Sequence, residues 1–442
     1  MARVRAWGGV PPASTLQPAP PLGDRGLAAA LVCPLFEVWS MWRVAGILAL
    51  ALAAGAAAET GNTSSVADAA ADSHSWGGVS HYYLYACNET FRHAALQQMQ
   101  AANLKVLRIF VLEVQDYARQ PCAGGGAATL PDVEPKQVGQ YDDSILQALD
   151  QLLFEATQYG VKLTLALHDR WSLGCWRYDA YIAKYNLTVT HDCSRLANES
   201  TPWPFYRHQP ARADFKARLS HILNYQSQRF SGGRRLGDLH EAIFSVEAEN
   251  EAMGHMDLLS LRYDDPALTW MCEMSAHLRS LAHRSIAVTS GGGGVGSPES
   301  DAGVGFPLAR RLVACSALDV LCVHSYSSPS MVKLLMLAYL NLTRNSQHRQ
   351  RAMLQEMGAQ GATAAAKASK VDALTALGAR PSGGGVPWMY WAMDRPAAPD
   401  SFNVWPGDGG PWAAIAKHAT AAASTVSAQP WPELDKAASS RS

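Results

Sequence analysis

Two glutamate-rich segments stand where strands of this 442-residue chain are expected to end. Residues 244–251 carry Glu247, Glu249 and Glu251, and residues 353–358 carry Glu356. Two carboxyl groups that face each other across one rim suit the hydrolysis of a glycosidic bond. One can protonate the departing oxygen while the other attacks the anomeric carbon or activates water. The sequence therefore predicts an acid and base site built from these two segments.

The glutamates of the first segment alternate along the chain. In a regular strand Glu247, Glu249 and Glu251 would point the same way, because every second side chain shares a face. Like charges held close together raise the pKa of one or more of the groups. Such a raised pKa would suit a general acid.

Other polar and aromatic side chains occupy the ends of further predicted strands. They are Arg108, His168 with Asp169, His324 with Tyr326, and Trp391. Arg108 is either part of a structural ion pair or the counter-charge that keeps a nucleophilic glutamate ionised. His168 and His324 are either hydrogen-bonded core residues or site residues, and Trp391 either packs or forms a platform for a sugar ring. Their common place at strand ends favours a shared site.

Eight short apolar segments predict the strands. They are residues 77–85, 105–111, 161–168, 242–250, 286–290, 319–325, 352–356 and 387–393. Amphipathic segments separate them, and apolar strands that alternate with helices form a parallel sheet with a covered outer face. We predict an α/β fold of the (β/α)8 type, a TIM barrel with long βα loops.

The segments between the strands add detail to this barrel. Asp142, Asp143 and Ser144 form a cap-like helix start, after which apolar residues up to Ala156 recur on one face. Residues 362–377 predict another helix. The segments 112–140 and 169–211 are expected to form long loops at the carboxyl-terminal rim. A doubly wound fold is disfavoured because no glycine-rich phosphate turn follows the first strand, and glycines 291–294 are expected to form a tight strand-end loop.

Composition argues against a protein that binds nucleic acid or an anionic membrane through its net charge, and against a wholly disordered chain. The chain has 37 basic and 38 acidic residues and a formal charge of -1, so it has no electrostatic footprint for nucleic acid or an anionic membrane. Hydrophobic residues make up 48% and charged residues 17%, which excludes disorder of the whole chain.

The amino-terminal region predicts secretion. In residues 41–58, Arg43 precedes an apolar run that ends in small residues before Glu59, as in a signal peptide. Residues 1–40 are a disordered or mis-assigned upstream extension, or else a cytoplasmic stub that turns the segment into a signal anchor. We expect a linker at 59–75, a catalytic barrel at 76–428 and a flexible tail at 429–442. The cleaved protein would be secreted, extracellular or in a cell wall, free of membrane and monomeric.

Sequons and cysteines agree with secretion. Asn-x-Ser/Thr sequons begin at Asn62, Asn88, Asn186, Asn198 and Asn341. Loss of Cys33 with the leader leaves an odd number of cysteines, and we expect the free thiol at Cys322, inside an apolar run. Plausible loops would be closed by Cys175 with Cys193, Cys87 with Cys122, and Cys272 with Cys315. The cysteines have no Cys-x-x-Cys spacing typical of structural zinc.

The residues at the strand ends together resemble glycoside hydrolase family 5, retaining TIM-barrel enzymes of clan A. In that family an Asn-Glu pair ends the fourth strand and a Glu followed closely by Gly ends the seventh. Asn250-Glu251 and Glu356-Met357-Gly358 match these motifs. The family's Arg, His, His-x-Tyr and Trp at other strands are matched by Arg108, His168, His324 with Tyr326, and Trp391.

The resemblance implies a role for each matched residue. Glu251 would be the acid/base, Glu356 the nucleophile, and Asn250 would bind the sugar 2-hydroxyl. The remaining residues would bind substrate or support the glutamates, and they are Arg108, His168, His324, Tyr326 and Trp391. The resemblance implies no organic cofactor and no metal.

The family resemblance also implies a substrate. Residues 141–167, Phe205-Tyr206 and residues 323–326 are most similar to the endo-β-1,4-mannanase branch, whereas residues 76–79 and 222–226 resemble fungal secreted mannanases or cellulases. We expect a β-1,4-linked polysaccharide, β-mannan, as substrate, with β-glucan and an endo-β-1,4-glucanase as the alternative. A non-catalytic polysaccharide-binding barrel and a transglycosylase of the same mechanism remain further alternatives.

The chain departs from the family pattern at two positions. Ala252 stands where Pro is common, which loosens the turn and removes no catalytic group. Glu249 stands where the family has a neutral or apolar residue. Glu249 would either turn away at a local bulge or bind a hydroxyl group and alter specificity.

Overall fold

The computed structural model describes most of the chain from residue 73 onward. The described ranges are 73–114, 122, 128–174, 179–187, 202–254, 256, 261–292, 311–379, 385–395 and 397–434. All predicted site residues fall within them. The predicted upstream extension, the signal peptide and most of the linker lie outside the described residues, as do Asn62, Asn198, Cys175 and Cys193.

Eight parallel strands form the centre of the fold. They are β1 (Gly77–Ser80), β2 (Leu104–Phe110), β3 (Lys162–Ala166), β4 (Ile243–Glu247), β5 (Ala287–Val288), β6 (Val320–His324), β7 (Arg351–Met357) and β8 (Trp388–Tyr390). Their order is β5-β4-β3-β2-β1-β8-β7-β6, and a parallel bridge between Thr289 and Val320 nearly closes the ring. The predicted (β/α)8 barrel is confirmed, with a strand in each of the eight predicted segments.

Helices cover the outside of this barrel. In the described ranges the α-helices are α1 (Glu89–Ala101), α2 (Ser144–Gln158), α3 (Ala180–Tyr185), α4 (Trp203–Arg207), α5 (Gln209–Asn224), α6 (Trp270–Leu281), α7 (Pro329–Arg344), α8 (Ala364–Ala376) and α9 (Gly410–Ala422). The predicted start of α2 is confirmed, since the helix begins at Ser144; the N-cap Asp143 makes no side-chain cap hydrogen bond, and the Asp142 carboxylate accepts the Ser144 backbone N–H at 2.9 Å. The apolar face of α2, which includes Ile145 and Leu149, is fully buried.

The first strand is shorter than the predicted segment 77–85. Strand β1 ends at Ser80, and Leu84–Ala86 form a 3-10 turn. The Tyr85 hydroxyl lies 3.0 and 2.8 Å from the carbonyl oxygens of Phe110 and Leu112, to which it donates. Residues 84–86 therefore turn across the end of β2. The contact of Tyr85 with β2 overrides the preference of this β-prone segment for an extended backbone.

The amino-terminal end of the barrel is covered by the last described segment. Trp431 is fully buried and packs edge-on against Trp76, with ring centroids 5.6 Å apart. Arg351, which begins β7, lies over the Trp431 ring and binds both carboxylate oxygens of Glu433 at 2.6 Å. Residues 429–434 therefore differ from the flexible tail that the sequence predicted at 429–442, because their aromatic and acidic side chains find partners under the barrel.

Two of the expected cysteine pairs are present. Disulfides join Cys87 to Cys122 and Cys272 to Cys315, as predicted. Cys322 is a free and buried thiol, also as predicted. Within the described ranges, no helix combines the length and the apolar character that crossing a bilayer requires.

Candidate active site

Charged side chains converge at the carboxyl ends of four strands. Arg108 lies in β2, His324 ends β6, Glu356 lies near the end of β7, and Asn250 and Glu251 follow β4. Parallel strands of a barrel all end at one rim, so residues far apart in sequence meet there. The predicted site is therefore assembled by the topology, and its hydrogen bonds define what each group can do.

Arg108 connects three of these segments. Its side chain is fully buried, and its Nε and one terminal nitrogen donate to Glu247 Oε1 at 2.8 and 2.6 Å. The same terminal nitrogen donates to Asn250 Oδ1 at 2.6 Å, and the other contacts Glu356. The planar fork of a guanidinium suits such divided contacts. Arg108 thus combines both alternatives from the sequence: it forms a structural ion pair with Glu247 and is a counter-charge for Glu356.

Glu356 is buried among donors. The Tyr326 hydroxyl donates to Glu356 Oε2 at 2.6 Å, and His324 Nδ1 lies 3.5 Å from the same oxygen. Burial alone raises the pKa of Glu356, but the charges of His324 and Arg108 and the hydrogen bonds from Tyr326 and Arg108 lower it overall. The environment therefore favours the ionised form, as a carboxylate nucleophile requires.

Glu251 lies in the tight turn that follows β4. Its backbone has a positive φ of 49°, and its N–H donates to the Gly291 carbonyl oxygen at 2.8 Å. The Trp171 indole N–H donates to Glu251 Oε2 at 2.7 Å, and His324 Nδ1 lies 2.9 Å from Oε1. Both carboxyl oxygens of Glu251 are therefore oriented by the protein.

His324 lies between the two glutamates. Gln355 donates its amide N–H to Glu247 Oε2 at 2.7 Å, which leaves the Gln355 oxygen to accept from His324 Nε2 at 2.8 Å. Burial lowers the pKa of His324, but the charge of Glu356 and the hydrogen bond and charge of Glu251 raise it overall. The neighbouring carboxyl groups therefore favour the protonated form of His324.

The glycine loop after β5 fits closely around this histidine. Gly292 has a φ of 70°, and a Cβ atom there would lie 2.4 Å from His324 Cγ. Neighbouring Gly291 supplies the carbonyl that binds the Glu251 N–H. The predicted strand-end loop is thus confirmed for its described residues, 291 and 292, and it supports the site directly.

The spacing of Glu251 and Glu356 limits the chemistry. One side-chain ligand atom each of Glu251, His324 and Glu356 lie within 4.8 Å of one another. Carboxyl groups about 5 Å apart are typical of retaining glycosidases and a wider gap that admits water is typical of inverting ones; the close approach of one oxygen from each glutamate favours the first geometry. The same three groups could hold a divalent ion, but the Arg108 guanidinium against Glu356 opposes a second positive charge there.

The glutamates of the β4 segment do not crowd one another as the alternation predicted. Strand β4 ends at Glu247, which binds Arg108, and the following residues leave the regular pleat. Glu249 binds His168, and Glu251 binds His324. The regular strand on which the shared-face expectation depends therefore does not extend to Glu249 and Glu251, and each of the three side chains binds a different partner.

His168 supports the rim and does not line the glutamate pair. Its Nδ1 lies 2.8 Å from Glu249 Oε1, and its Nε2 lies 2.8 Å from Asp179 Oδ2. Both ring nitrogens are thus engaged, which leaves none to bind a sugar hydroxyl. The adjacent Asp169 accepts the Asn250 amide N–H at 3.0 Å, and burial, with the charge of Glu251, raises the pKa of Asp169 to about 7.

Trp391 belongs to an aromatic group at the rim. Its ring packs edge-on against Tyr82 and Phe110, with centroids 4.8 and 5.6 Å apart. The Trp391 side chain remains partly exposed, and its backbone N–H donates to the Met357 carbonyl oxygen at 2.8 Å. Trp391 therefore packs against the wall and still presents apolar surface beside the end of β7; the packing interpretation is confirmed, and the sugar platform stays a prediction.

Sequence reasoning missed several residues of the site. They are Trp171, Asp179, Tyr206, Glu247 as the partner of Arg108, and Gln355. Trp171, Asp179 and Tyr206 lie in the long segment after β3, where no periodicity marks a functional side chain. Gln355 and Glu247 had a usable signal, since both are polar residues within strands predicted to be buried, where a polar side chain needs a partner.

Comparison with solved structures identifies similar barrels. The endo-1,4-beta-mannanase from Rhizomucor miehei aligns with a TM-score of 0.57 and 18% identity, over 79% of this chain and 95% of that one. The endo-beta-1,4-mannanase from Thermotoga petrophila aligns with a TM-score of 0.56 and 17% identity, over 80% and 78% of the two chains. A variant of the glycoside hydrolase family 5 mannosidase from Rhizomucor miehei gives 0.56 and 13%, over 80% and 94%.

Comparisons at the sequence level find no relative. Neither a protein-family model nor a curated protein matches this chain. At identities of 13 to 18% the structural similarity establishes the fold, a barrel like that of family 5 mannanases and mannosidases. The family resemblance found in the sequence is therefore confirmed for the fold.

Proposed function

We propose that the protein is a retaining glycoside hydrolase that cleaves β-1,4-linked mannan. The observation that carries the proposal is the pair Glu251 and Glu356, whose carboxyl groups approach within 4.8 Å on either side of His324. This spacing suits a double displacement through a glycosyl-enzyme intermediate.

In the first step the carboxylate of Glu356 attacks the anomeric carbon. Arg108, His324 and Tyr326 hold this group ionised and fix its orientation. Glu251 transfers its proton to the departing glycosidic oxygen, so that the sugar leaves as an alcohol. Preorganised donors around both groups lower the cost of charge movement.

In the second step the roles of Glu251 reverse. As a carboxylate it removes a proton from water, which attacks the anomeric carbon and releases Glu356. Asn250, held between Arg108 and Asp169, is proposed to bind the sugar 2-hydroxyl through hydrogen bonds that strengthen in the transition state. No step requires an organic cofactor or a metal.

The choice of mannan rests on two kinds of support. Segments of the sequence resemble endo-β-1,4-mannanases, and the similar solved barrels include proteins described as mannanases and mannosidases. One of the similar structures is a mannosidase variant in complex with mannosyl-fructose. The partly exposed Trp391 is proposed to stack on the sugar at the cleaved bond.

We also propose that the protein acts as a monomer after secretion. Two disulfides suit an oxidising compartment, and the sequon residues Asn88 and Asn186 are exposed. The masses of the intact secreted protein before and after removal of N-glycans test cleavage near Glu59 and glycan attachment together.

The direct test of the activity is release of reducing ends by the purified protein on β-mannan, glucomannan and soluble cellulose. Glu356→Gln and Glu251→Gln keep the shape of the side chain and remove its ionisable group. Glu241→Gln is the matched control, because Glu241 pairs with Arg234 away from the site. Proton NMR of the first product distinguishes retention from inversion at the anomeric carbon.

The outcomes separate the competing functions. We expect release on mannan with retained configuration, lost in both site variants and kept in the control. Release on cellulose alone would retain the mechanism and change the substrate to β-glucan. A folded protein that binds a polysaccharide without cleaving it would exclude the hydrolase and indicate a binding module.

A further inference from the structure

A buried carboxylate that the proposed reaction does not use lies next to the candidate acid/base. Glu249 is fully buried, with its Oε1 2.8 Å from His168 Nδ1 and its Oε2 2.7 Å from the Tyr206 hydroxyl. His168 Nε2 lies 2.8 Å from Asp179 Oδ2. A chain of hydrogen bonds therefore runs from Asp179, the N-cap of α3, through His168 after β3 and Glu249 after β4 to Tyr206 in α4.

The direction of each hydrogen bond follows from the groups at the ends of this chain. The Met253 backbone N–H donates to the Tyr206 hydroxyl oxygen at 3.1 Å, so the hydroxyl proton is directed to Glu249. Glu249 and Asp179 accept as carboxylates, so both nitrogens of His168 donate. Burial lowers the pKa of His168, but the two carboxylates raise it to about 10, and the ring is an imidazolium at neutral pH.

The turn that carries Glu251 needs this support. Glu251 and Met253 have φ values of 49° and 60°, a region that residues with a Cβ occupy only where their surroundings enforce it. Tyr206 holds the turn at Met253, and the His168 carbonyl oxygen accepts the Asn250 N–H at 2.8 Å. The hydrogen-bond chain through Glu249 thus contacts this segment on both sides of Glu251.

We propose that Glu249, His168 and Tyr206 are positioning residues that hold the turn of Glu251, so that its carboxyl group faces the glycosidic oxygen. The proposal rests on the proposed function, in which Glu251 is the acid/base. Glutamine at position 249 would have an acceptor on only one of its two terminal atoms, so it could not accept one hydrogen bond on each atom from Tyr206 and His168. The unusual glutamate therefore has a specific partner on each oxygen.

This role predicts a dependence on the leaving group. A sugar alcohol is a poor leaving group and needs a proton from Glu251, whereas 2,4-dinitrophenolate leaves without one. Displacement of the turn should therefore slow cleavage of a manno-oligosaccharide much more than cleavage of 2,4-dinitrophenyl β-mannoside. Azide, which attacks the intermediate without a general base, should restore the second step on the aryl substrate.

The variants are Tyr206→Phe, which removes the donor to Glu249 and the acceptor for Met253, and Glu249→Gln, which replaces one acceptor by a donor. Tyr181→Phe is the matched control, because Tyr181 is buried against the His168 ring, with centroids 6.2 Å apart, and its hydroxyl is not in the chain to Met253. The readouts are kcat and KM on both substrates, with and without azide, and amide hydrogen exchange over residues 249–254.

For both variants we expect kcat on the oligosaccharide to fall about 100-fold, as misplacement of a reacting group by about 1 Å would produce. KM on the oligosaccharide and azide-assisted turnover of the aryl mannoside should change less than about fivefold. Amide exchange at Met253 should accelerate in Tyr206→Phe and stay unchanged in Tyr181→Phe.

Two results would overturn the proposal. Equal losses on both substrates would show a general structural defect, and losses no larger than those of Tyr181→Phe would show that the chain does not position Glu251. If the unmodified protein cleaves neither substrate, the proposed function fails. Hydrogen exchange then decides the positional role separately, since an unchanged rate at Met253 in Tyr206→Phe excludes it.

Discussion

Replacement of Arg108 by lysine tests whether the site needs the charge of this residue or its fork of donors. Arg108 donates hydrogen bonds from its three side-chain nitrogens to Glu247, Asn250 and Glu356. Lysine keeps the positive charge on a single nitrogen, which cannot reach all three partners at once. Because Arg108 is fully buried, solvent cannot readily take over the lost contacts.

The magnitude follows from the contacts that lysine would lose. If the ammonium stays with Glu356, the hydrogen bonds to Glu247 and Asn250 are lost. Breaking a buried ion pair costs about 3–5 kcal/mol, so we expect the free energy of unfolding to fall by about 3–5 kcal/mol. Because Asn250 and Glu356 also lose orientation, kcat/KM on mannan should fall about 100- to 1,000-fold.

The assays are urea denaturation and initial rates on mannan, with Arg218→Lys as the matched control. Arg218 is also buried and divides its donors between Asp132 and the carbonyl oxygens of Val111 and Leu167. This control should lose stability and keep kcat/KM within about threefold. If Arg108→Lys retains normal kcat/KM and unfolds within about 1 kcal/mol of the original protein, charge alone suffices and the connecting role is refuted.

Three further predictions concern pH and stability. In Tyr326→Phe the pKa of Glu356 rises because a donor is lost, so the acid limb of kcat/KM should move to higher pH; an unmoved limb would contradict this. The pKa of His168 is raised from 6.5 to about 10 in the fold, so its stabilisation is full below about pH 6.5 and is lost as the pH rises towards 10. Urea unfolding at several pH values should show this decline, and Glu249→Gln should flatten it. Trp431→Ala should cost about 3–5 kcal/mol of unfolding free energy and leave kcat unchanged, because the residue packs at the opposite end of the barrel from the site; a large fall in kcat would contradict that placement.

The strands could be predicted from sequence because their signal is local. Segments such as Leu104–Phe110 are nearly continuous apolar runs, which is typical of strands buried on both faces. Element ends were harder to predict, since the end of β1 depends on the contact of Tyr85 with the end of β2. The packing of Trp431 under the barrel likewise depends on residues more than 300 positions away, such as Trp76.

The site could be predicted only where the topology alone determines position. Arg108, His324 and Glu356 lie in strands, and the barrel brings the ends of strands together. Trp171 lies in the loop after β3, and its hydrogen bond to Glu251 depends on the course of that loop. His168 was placed at the correct rim, but the sequence left open whether it binds substrate or supports the glutamates, because its pairing with Glu249 cannot be recognised from spacing.

The pairing of Glu249 explains why this departure from the family pattern does not disable the proposed site. Glu247, Glu249, Glu251 and Glu356 are buried acidic side chains at this rim, and Arg108, His168 and His324 are the basic side chains that contact them. An unpaired buried carboxylate would take up a proton or distort its surroundings. Glu249 has its own partners in His168 and Tyr206, so it does not compete with Glu251 for His324. The additional glutamate, Glu249, is therefore paired with the positive charge of His168. This pairing argues against the alternative in which Glu249 displaces the acid/base Glu251 and the barrel only binds polysaccharide.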